Sequence, residues 1–385
     1  PPPLPNREPF DLATSVWSRR AVTTEGKDYF DSPKVLRKAF AKDWHRIINK
    51  SRFVKFTKIP GVGCDTPETL AAVEAVLRAN YDVLSLAFDY FSSKSARVSM
   101  PVAMDKLAYL EFVSELQVMD GKAVSQRDVE LAFVLANWEE AAVSVTEDNV
   151  NPDTALLLFE FLEVIIRLSA AKFLLHAAAP SDNLPTAIQF FVNVYVRPGL
   201  YGAQATSHDA YRRNRMYMKP VNAVLATHLA PLKDVYNRFA RLYGGGQRKR
   251  VKRVGLVDWL RLMRAVDFIN DDFTLREAFL ACTWSIIKVS DPVNRPELAN
   301  AMAFEDFLEA LCRSADLTSI PTDADLERLG APDAAAWDAA VSLEERLRAR
   351  RPSVGWFGVT ARALPEKLHK FLVMLLGRVA RGRQG

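Results

Sequence analysis

The stretches "ELAFVLANW" (residues 130–138) and "REAFLACTW" (residues 276–284) repeat one pattern of alanine, phenylalanine and tryptophan. Trp138 and Trp284 close the two copies and lie 146 residues apart. Apolar residues at helical spacing precede each tryptophan, which predicts the same helix twice. A repeat this long indicates a duplicated domain rather than a solenoid of short units.

The repeat continues on both sides of these helices. Downstream, "FEFLEVIIR" (159–167) aligns with "EDFLEALCR" (305–313) at the same offset of 146 residues. Upstream, "LSLAFDYF" (84–91) aligns with "LKDVYNRF" (232–239) at an offset of 148. The helices and loops keep nearly one offset. The alignment therefore indicates one four-helix unit that occurs twice. The alternative, two unrelated helix bundles whose aromatic residues match by coincidence, is disfavoured.

Helical periodicity dominates the rest of the chain, and proline and glycine mark the loops. We therefore predict an all-α protein with two tandem lobes, and Ser125, Asn183 and Thr274 as N-caps of three helices. The predicted parts are an N-terminal aromatic-rich wrapping segment (1–77), a first lobe (78–176), a helical linker (177–225), a second lobe (226–326) and a C-terminal extension with a basic amphipathic helix (327–385).

The composition is that of an ordinary globular protein. Of 385 residues, 49% are hydrophobic and 25% are charged, which supplies enough apolar material for a core. The net charge of +5 and the pI near 9.0 tolerate an acidic partner but do not require one. Three scattered cysteines favour a reducing compartment over a disulfide framework. No run approaches the roughly 18 apolar residues of a membrane span, so we expect no membrane partner.

Each predicted lobe consists of two helix–loop–helix pairs, which is the arrangement of a paired EF-hand lobe. Segments such as "LLFEFLEVIIRLSAAKF" and "MAFEDFLEALCRSADLTSIPTDADL" resemble degenerate EF-hand-pair proteins of algal and protist cilia and flagella. The segments that carry the resemblance are residues 28–47, 157–173, 211–239, 256–284 and 302–326. The resemblance implies an axonemal component of the cytoplasm and cytoskeleton, with tubulin or other axonemal proteins as partners.

The predicted loops decide whether calcium is expected. A calcium-binding loop follows D-x-[DN]-x-[DN]-G-x5-E, because Ca²⁺ takes several oxygen ligands and a bidentate glutamate. The loop at 146–161 is acidic, but counted from Asp148 its third and fifth positions are Val150 and Pro152. We therefore predict no metal site and no cofactor. The alternative is weak calcium binding through Asp148, Asn149, Asn151 and Asp153.

The third predicted loop contains "GGGQRKRVKRV" (244–254), whose basic residues disfavour a dication. It does not match a P-loop, because no Gly-Lys-Ser/Thr follows. We predict contact with an acidic partner surface such as the tubulin tails of a microtubule. The partner-binding residues predicted here are Arg248, Lys249, Arg250, Lys252 and Arg253. A solvated loop, a nuclear-targeting sequence and a nucleic-acid contact are the alternatives, and the lack of interleaved aromatic residues disfavours nucleic acid.

Two further segments are candidate contact regions. Residues 10–56 carry aromatic residues that need burial, and we expect this segment to wrap the first lobe or a partner, with Trp17, Phe30 and Trp44 as candidate contacts. The basic helix at 363–383 has one apolar side. Docking on its own protein is the commoner use of such a helix, and calmodulin binding is the alternative.

No catalytic or metal-binding motif stands out in the sequence. The five histidines are scattered without an HExxH pattern, and nucleophile-elbow, dinucleotide-binding and kinase motifs are missing. We therefore predict a non-enzymatic structural or scaffold protein of the ciliary or flagellar axoneme that binds microtubules or other axonemal proteins. The alternative is a calcium-dependent regulatory EF-hand protein of the axoneme, and a nuclear nucleic-acid binder is the third class.

Overall fold

The computed structural model describes residues 10–95, 102–138, 154–176, 180–202, 208–243, 250–341 and 362–382. These residues are mostly helical, which confirms the all-α prediction at the level of the fold class. Short strands, which the periodicity did not predict, precede some of the helices. None of the helices described is long and apolar enough to cross a lipid bilayer.

The N-terminal half begins with a 3-10 turn (Leu12–Thr14) and continues with helices and two very short strands. In chain order the elements are α1 (Arg20–Thr23), α2 (Pro33–Ile48), α3 (Ser51–Thr57), α4 (Pro67–Ala79), α5 (Tyr81–Ser92), β1 (Met104–Asp105), α6 (Lys106–Glu115), α7 (Gln126–Ala136), β2 (Ala155–Leu156), α8 (Leu158–Phe173), α9 (Leu184–Phe191), a π-helical turn (Val192–Val196) and α10 (Arg197–Gly202).

The C-terminal half repeats this alternation and ends in a long helix. Its elements are α11 (His208–Tyr211), a π-helical turn (Arg212–Met216), α12 (Lys219–Thr227), α13 (Leu229–Phe239), β3 (Arg241–Tyr243), β4 (Val251–Gly255), α14 (Leu256–Ala265), α15 (Leu275–Thr283), α16 (Pro296–Ala299), β5 (Ala301–Met302), α17 (Phe304–Leu317), α18 (Asp323–Leu329), α19 (Ala334–Ala340) and α20 (Leu364–Arg381).

The predicted helix starts are confirmed by their capping hydrogen bonds. Ser125 accepts from the N–H of Asp128 at the start of α7, and Thr274 does the same for Glu277 at the start of α15. Asn183 caps α9 by accepting from the N–H of Thr186. Such side-chain oxygens satisfy N–H groups that have no partner within the helix, and each cap typically contributes about 1 kcal/mol.

The repeat is visible in the order of the elements. The series α5-β1-α6-α7-β2-α8 has a counterpart in α13-β3-β4-α14-α15-α16-β5-α17, in which β3 and α16 are additional elements. Strands β2 and β5, and the first residues of α8 and α17, lie 146 residues apart, which is the offset read from the sequence. Each series therefore contains two helix–loop–helix pairs.

Short antiparallel ladders join the two loops within each series. In the first, Met104 pairs with Leu156 across β1 and β2. In the second, Val254 pairs with Met302 across β4 and β5, and β3 adds to the other side of β4. Ladders of two residue pairs were invisible to periodicity, because the period-2 pattern needs about four residues to register.

The chain divides into two compact units, and their bounds differ from the parts expected from the sequence. The first unit consists of Pro33–Ala205 and Val289–Pro296, and the second unit consists of Pro1–Ser32, Thr206–Lys288 and Glu297–Gly385. Residues 10–56 were expected to wrap the first lobe or a partner, and the described residues from Pro33 onward do belong to the first unit, whereas those up to Ser32 belong to the second unit. The physical reason is that Trp17 and Arg20 are buried there.

Aromatic side chains fill equivalent places in the two cores. In the first unit, Phe161 packs against Phe88 and Phe112, with ring centroids 5.8 and 5.2 Å apart. In the second unit, Phe307 packs against Tyr236 and Trp259 at 5.6 and 5.9 Å. Phe161 and Phe307, which the alignment had matched, are both fully buried.

Helix α20 docks on its own unit, as expected for the commoner use of an amphipathic helix. It packs against α12, α17 and α19, and the apolar side chains Leu368, Phe371 and Leu375 are fully buried. Several of its basic residues point inward as well, since Arg378 lies 2.6 Å from the buried Asp338. Calmodulin binding to this helix stays a prediction, and it would require the helix to leave this site.

Candidate functional site

A buried charge cluster lies at the start of α8 in the first unit. Glu160 and Glu163 have no exposed side-chain surface, and the ammonium of Lys50 lies 3.4 and 3.3 Å from their carboxylates. Lys50 also donates to the carbonyl oxygen of Ala136 at the end of α7. Glu160 accepts from the N–H of Leu157 at 2.8 Å and so caps α8. Because a buried carboxylate without a counter-ion is costly, Lys50 stabilises this junction of α7 and α8.

An arginine on α8 completes the cluster. Arg167 donates two hydrogen bonds to Glu163, from Nε at 2.9 Å and from Nη2 at 2.7 Å, and a third to the carbonyl oxygen of Arg52 on α3. The guanidinium of Arg52 lies 3.8 Å from the ring centroid of Trp138. The repeated tryptophan therefore marks the place where α3 meets the end of α7.

The second unit has a similar cluster with a different cation. Arg20, the first residue of α1, lies 2.8 Å from Asp306 and 2.7 Å from Glu309, and its side chain is only 1% exposed. Asp306 caps α17 by accepting from the N–H of Ala303 at 2.9 Å. Arg313 donates to Glu309 from Nε at 3.0 Å and from Nη2 at 2.7 Å.

The two acids of each cluster, and the arginine that follows them on the same helix, are matched by the 146-residue repeat. The further cation in each cluster, Lys50 or Arg20, is not matched by the repeat. The matched positions, 146 residues apart, are Glu160 with Asp306, Glu163 with Glu309 and Arg167 with Arg313. Lys50 and Arg20 come from segments that precede the repeat, and they keep no such offset. Each unit thus compensates its matched acids with a different cation from outside the repeated segments.

The cluster of the second unit is larger because Arg212 joins it. This side chain is fully buried and lies 3.0 Å from Glu309, 3.2 Å from Asp31 and 3.0 Å from Asp209. Asp31 also accepts from the N–H of Lys288 at 2.8 Å. The N-terminal segment, through Arg20 and Asp31, is therefore held in the second unit by ion pairs as well as by apolar packing.

The surroundings shift the ionisation of this cluster. Burial by itself would raise the pKa of Glu309, but the positive charges of Arg212, Arg313 and Arg20 outweigh burial and lower the pKa to about 2. Burial lowers the pKa of His208, and the neighbouring Asp31 opposes this only in part. At neutral pH Glu309 is thus ionised and acts as the common counter-ion of the arginines.

A third acid holds two arginines next to the β3–β4 hairpin. Asp258 on α14 is 5% exposed, and its Oδ1 lies 2.8 Å from Nη2 of Arg241 and 3.0 Å from Nη1 of Arg261. The side chains of these arginines are 57% and 56% exposed. The hydroxyl of Tyr243 also hydrogen-bonds to Asp258. One carboxylate for two guanidinium groups leaves a surplus of positive charge at this surface.

The predicted basic loop is in part a strand. Residues 251–255 form β4, and Arg250 and Lys252 are exposed. Arg253 is turned inward, donates to the carbonyl oxygen of Ala301 at 3.0 Å and lies 3.9 Å from Asp306. It is therefore less available to a partner than predicted. Arg248 and Lys249 lie outside the described residues.

The aromatic residues predicted to contact a partner or the first lobe are largely internal. Trp17 is fully buried in the second unit, where its ring lies 5.2 Å from that of Tyr217. Trp44 is 7% exposed in the core of the first unit. Phe30 is half-buried, packs on Tyr217 and lies under the guanidinium of Arg213. The prediction that Trp17 and Trp44 contact a partner is wrong, because both side chains are buried within the chain's own units.

Metal ligation concerns two sets of residues, those that the structure describes and those of the predicted calcium loop. In the portion of the chain that the structure describes, no group of three or more His, Cys, Asp or Glu side chains is arranged to hold a metal ion. The residues of the alternative calcium loop, Asp148, Asn149, Asn151 and Asp153, lie outside the described residues. The alternative of weak calcium binding therefore stays open.

The sequence reasoning missed the cations that hold the three acids. Arg20, Lys50 and Arg241 carry no motif, and their partners lie far away in the chain or across a loop. Arg261 lies one helical turn after its partner Asp258, a spacing that is also common for exposed pairs on a helix surface. A partial signal was present, since the acids stand at the third position of α8, α14 and α17. Acids in a first helical turn are commonly explained as caps, so that signal alone could not indicate a buried ion pair.

Comparisons with models of protein families, with curated proteins and with solved structures find no match to this chain.

Proposed function

We propose that this chain is a non-enzymatic structural protein of the ciliary or flagellar axoneme. In this proposal, two degenerate EF-hand-like lobes act as scaffolds that need no ion, and the basic hairpin contacts microtubules or another acidic axonemal surface. The ciliary setting rests on the resemblance of the sequence. The scaffold role rests on the way the buried acids are neutralised.

That neutralisation is the observation that carries the proposal. A calcium-binding EF-hand loop ends on an acid that ligates the ion bidentately. Glu160, Asp258 and Asp306 stand at the corresponding position, four residues after the paired strand residues of β2, β4 and β5. A lysine or arginine of the protein contacts each of these three acids. In the remaining loop, the position that corresponds to these acids is the third residue of α6, which is Ala108 and carries no acid. These cations supply the positive charge that Ca²⁺ supplies in a sensor.

The filled interiors of the units also support a fixed scaffold. A calcium sensor exposes an apolar groove when its ion binds. Here α2 and α3 bury Trp44, Phe53 and Phe56 in the core of the first unit, and the N-terminal segment buries Trp17 in the second. Because the chain fills these places with its own side chains, we assign partner binding to the exposed hairpin instead.

Microtubule co-sedimentation tests the proposal together with localisation of a tagged protein in a ciliated cell. The variant Arg250→Gln/Lys252→Gln removes two exposed charges from the hairpin, and Arg328→Gln removes one charge from an exposed side chain on α18. The proposal expects weaker pelleting of the first variant only, with a steep dependence on salt. Equal pelleting of all three proteins would remove the hairpin from the interface, and a protein absent from cilia would contradict the setting.

The second candidate function is a calcium-dependent regulator, and the register of β2 favours it. The ladder places Leu156 opposite Met104, and Glu160 follows four residues later. Counted back from Glu160 as the last ligand, the loop begins at Asn149 rather than Asp148. Asn149, Asn151 and Asp153 then stand at the first, third and fifth positions, and the last two of these match the calcium pattern. This count fits the pattern better than the count from Asp148 did.

Calorimetry separates the two candidates. The regulator predicts heat on adding Ca²⁺ that Asp153→Ala abolishes and that Asp306→Asn in the second unit leaves unaltered. It also predicts that Lys50→Met strengthens binding, since Lys50 competes for Glu160. The scaffold predicts no calcium heat in the wild type and none in these variants.

A further inference from the structure

We infer that the β3–β4 hairpin and the start of α14 form a docking site for an extended, glutamate-rich peptide segment of a partner. The segment adds as a strand along β3 and places its carboxylates on Arg241 and Arg261. This inference rests on the proposed function, because an acidic axonemal surface would supply such a segment, and it names the residues and the mode of binding.

The position of β3 supplies the first argument. Within the described residues, β3 is an outer strand of the order β3-β4-β5. Its side chains Arg241 and Leu242 are 57% and 64% exposed. An outer strand presents backbone N–H and C=O groups on its free side, and an extended peptide can pair with them. Main-chain pairing of this kind needs a peptide and has no counterpart in a sugar–phosphate chain.

The arrangement of the two arginines supplies the second argument. Arg241 and Arg261 approach the same oxygen of Asp258, so their guanidinium groups stand side by side with more than half of each side chain exposed. Asp258 and its hydrogen bond with Tyr243 fix the two groups before any ligand arrives. A guanidinium binds a carboxylate through two parallel hydrogen bonds, and prior fixation lowers the entropy lost on binding.

The faces of the hairpin indicate the pattern of the peptide. Arg241 lies opposite Arg253, and Leu242 lies opposite Lys252. Because successive residues of a strand point to opposite faces, β3 places the charged Arg241 on one face and the apolar Leu242 on the other. Side chains of an added strand alternate between the same faces. An acid facing Arg241 followed by an apolar residue facing Leu242 therefore satisfies both. Arg264, exposed one helical turn after Arg261, extends the positive charge along α14.

A nucleic acid is the competing occupant, and the local chemistry favours the peptide. Single-stranded nucleic acids bind to basic grooves on which aromatic rings stack with bases. The aromatic side chain nearest to this surface in sequence, Tyr243, is half-buried, and its hydroxyl is engaged with Asp258. Its ring is therefore a poor stacking platform.

Fluorescence anisotropy with a labelled peptide of alternating Glu and Val tests the inference on the full chain. The variant Arg241→Gln/Arg261→Gln is expected to weaken binding at least about tenfold, because two charge-assisted contacts are lost. Arg328→Gln, which removes one exposed charge from α18, is the control and is expected to bind like the wild type. Arg241→Lys/Arg261→Lys keeps the charge beside Asp258 without the planar fork, and intermediate affinity is expected. Unfolding midpoints in urea verify that each variant is folded.

Two further probes separate strand addition from simple charge attraction. The same peptide with alternate backbone amides methylated keeps its carboxylates but cannot pair as a strand, and weaker binding is expected. A single-stranded oligonucleotide is expected to bind more weakly than the peptide. Undiminished binding of the methylated peptide, tighter binding of the oligonucleotide, or equal binding of the double glutamine variant and the wild type would each overturn the inference.

Microtubules distinguish failure of the inference from failure of the proposed function. If the wild type and Arg241→Gln/Arg261→Gln pellet equally with microtubules, the proposed function stands and this docking site does not. If the peptide binds as described but neither protein pellets, the docking site stands and its axonemal partner is wrong.

Discussion

Glu163 and Glu309 occupy the same place in the two units. Each is fully buried, each accepts two hydrogen bonds from the arginine four residues later, and each has a second cation within 3.3 Å. The second cation is Lys50 for Glu163 and Arg20 for Glu309. The repeated helix therefore carries a buried acid that a different cation compensates in each unit.

Replacing these two acids should destabilise the units unequally. Glu309→Gln leaves Arg20, Arg212 and Arg313 without their common counter-ion, and we expect a loss of about 3–5 kcal/mol in the free energy of unfolding. Glu163→Gln removes the partner of Lys50 and Arg167, of which Lys50 is 14% exposed, and we expect the smaller loss. Urea unfolding followed by circular dichroism measures both. Losses below about 1 kcal/mol for both variants would mean that the buried pairs contribute little.

Arg20 should hold the N-terminal segment in the second unit. Arg20→Met leaves Asp306 and Glu309 with one cation fewer in a buried place, and we expect residues 10–32 to be released and cleaved faster by a non-specific protease. Arg19→Met is the control, because Arg19 is exposed beside it. Mass spectrometry locates the cleavage. Equal protection of the segment in both variants would assign its retention to Trp17 and Asp31 rather than to Arg20.

Asp43 should make the first unit less stable as the pH rises from about 4 to about 6. Burial raises the pKa of Asp43 to about 6, with Asp291 adding to the effect, while Tyr81 and Arg46 oppose it only in part. The folded state therefore keeps a proton on Asp43 in a range where the unfolded chain has lost it. The contribution of Asp43 to the free energy of unfolding is therefore largest below about pH 4, and it declines as the pH rises to about 6.

Asp43→Asn should remove this component. We expect the variant to lack the decline between pH 4 and 6 and to be more stable than the wild type above pH 6, by at most about 3 kcal/mol, because its amide still accepts from Tyr81. Thermal unfolding across this pH range provides the comparison, with Asp65→Asn at an exposed position as the control. Parallel curves for wild type and Asp43→Asn would show that Asp43 is ionised throughout.

Local patterns in the sequence predicted the helices well. The caps at Ser125, Asn183 and Thr274 and the 146-residue offset are properties of neighbouring residues or of aligned segments, so they could be read without the fold. Strands β1, β2 and β5 were not predicted, because strands of two residues are too short to show a period-2 pattern. The residues after Arg250 were predicted to be a loop, because the basic residues Lys252 and Arg253 made the segment resemble a solvated loop rather than the strand β4.

The candidate sites were predicted less well, because they depend on contacts between distant segments. Nothing near Lys50 or Arg20 in the sequence indicates that each meets a buried acid more than a hundred residues away. The pairing of Arg241 and Arg261 on Asp258 likewise requires the hairpin to fold back onto α14. Trp17 and Trp44 were recognised as needing burial, but only the fold shows that the chain itself buries them.

Co-sedimentation with microtubules, with and without their acidic C-terminal tails, tests the central claim most directly when it is done both in excess Ca²⁺ and in a chelator. A scaffold with protein cations on its buried acids and a basic hairpin at its surface is predicted to pellet with intact microtubules equally in both conditions. It is predicted to lose this binding when limited proteolysis removes the tails. Failure to pellet with intact microtubules, or pelleting that requires Ca²⁺, would contradict the account.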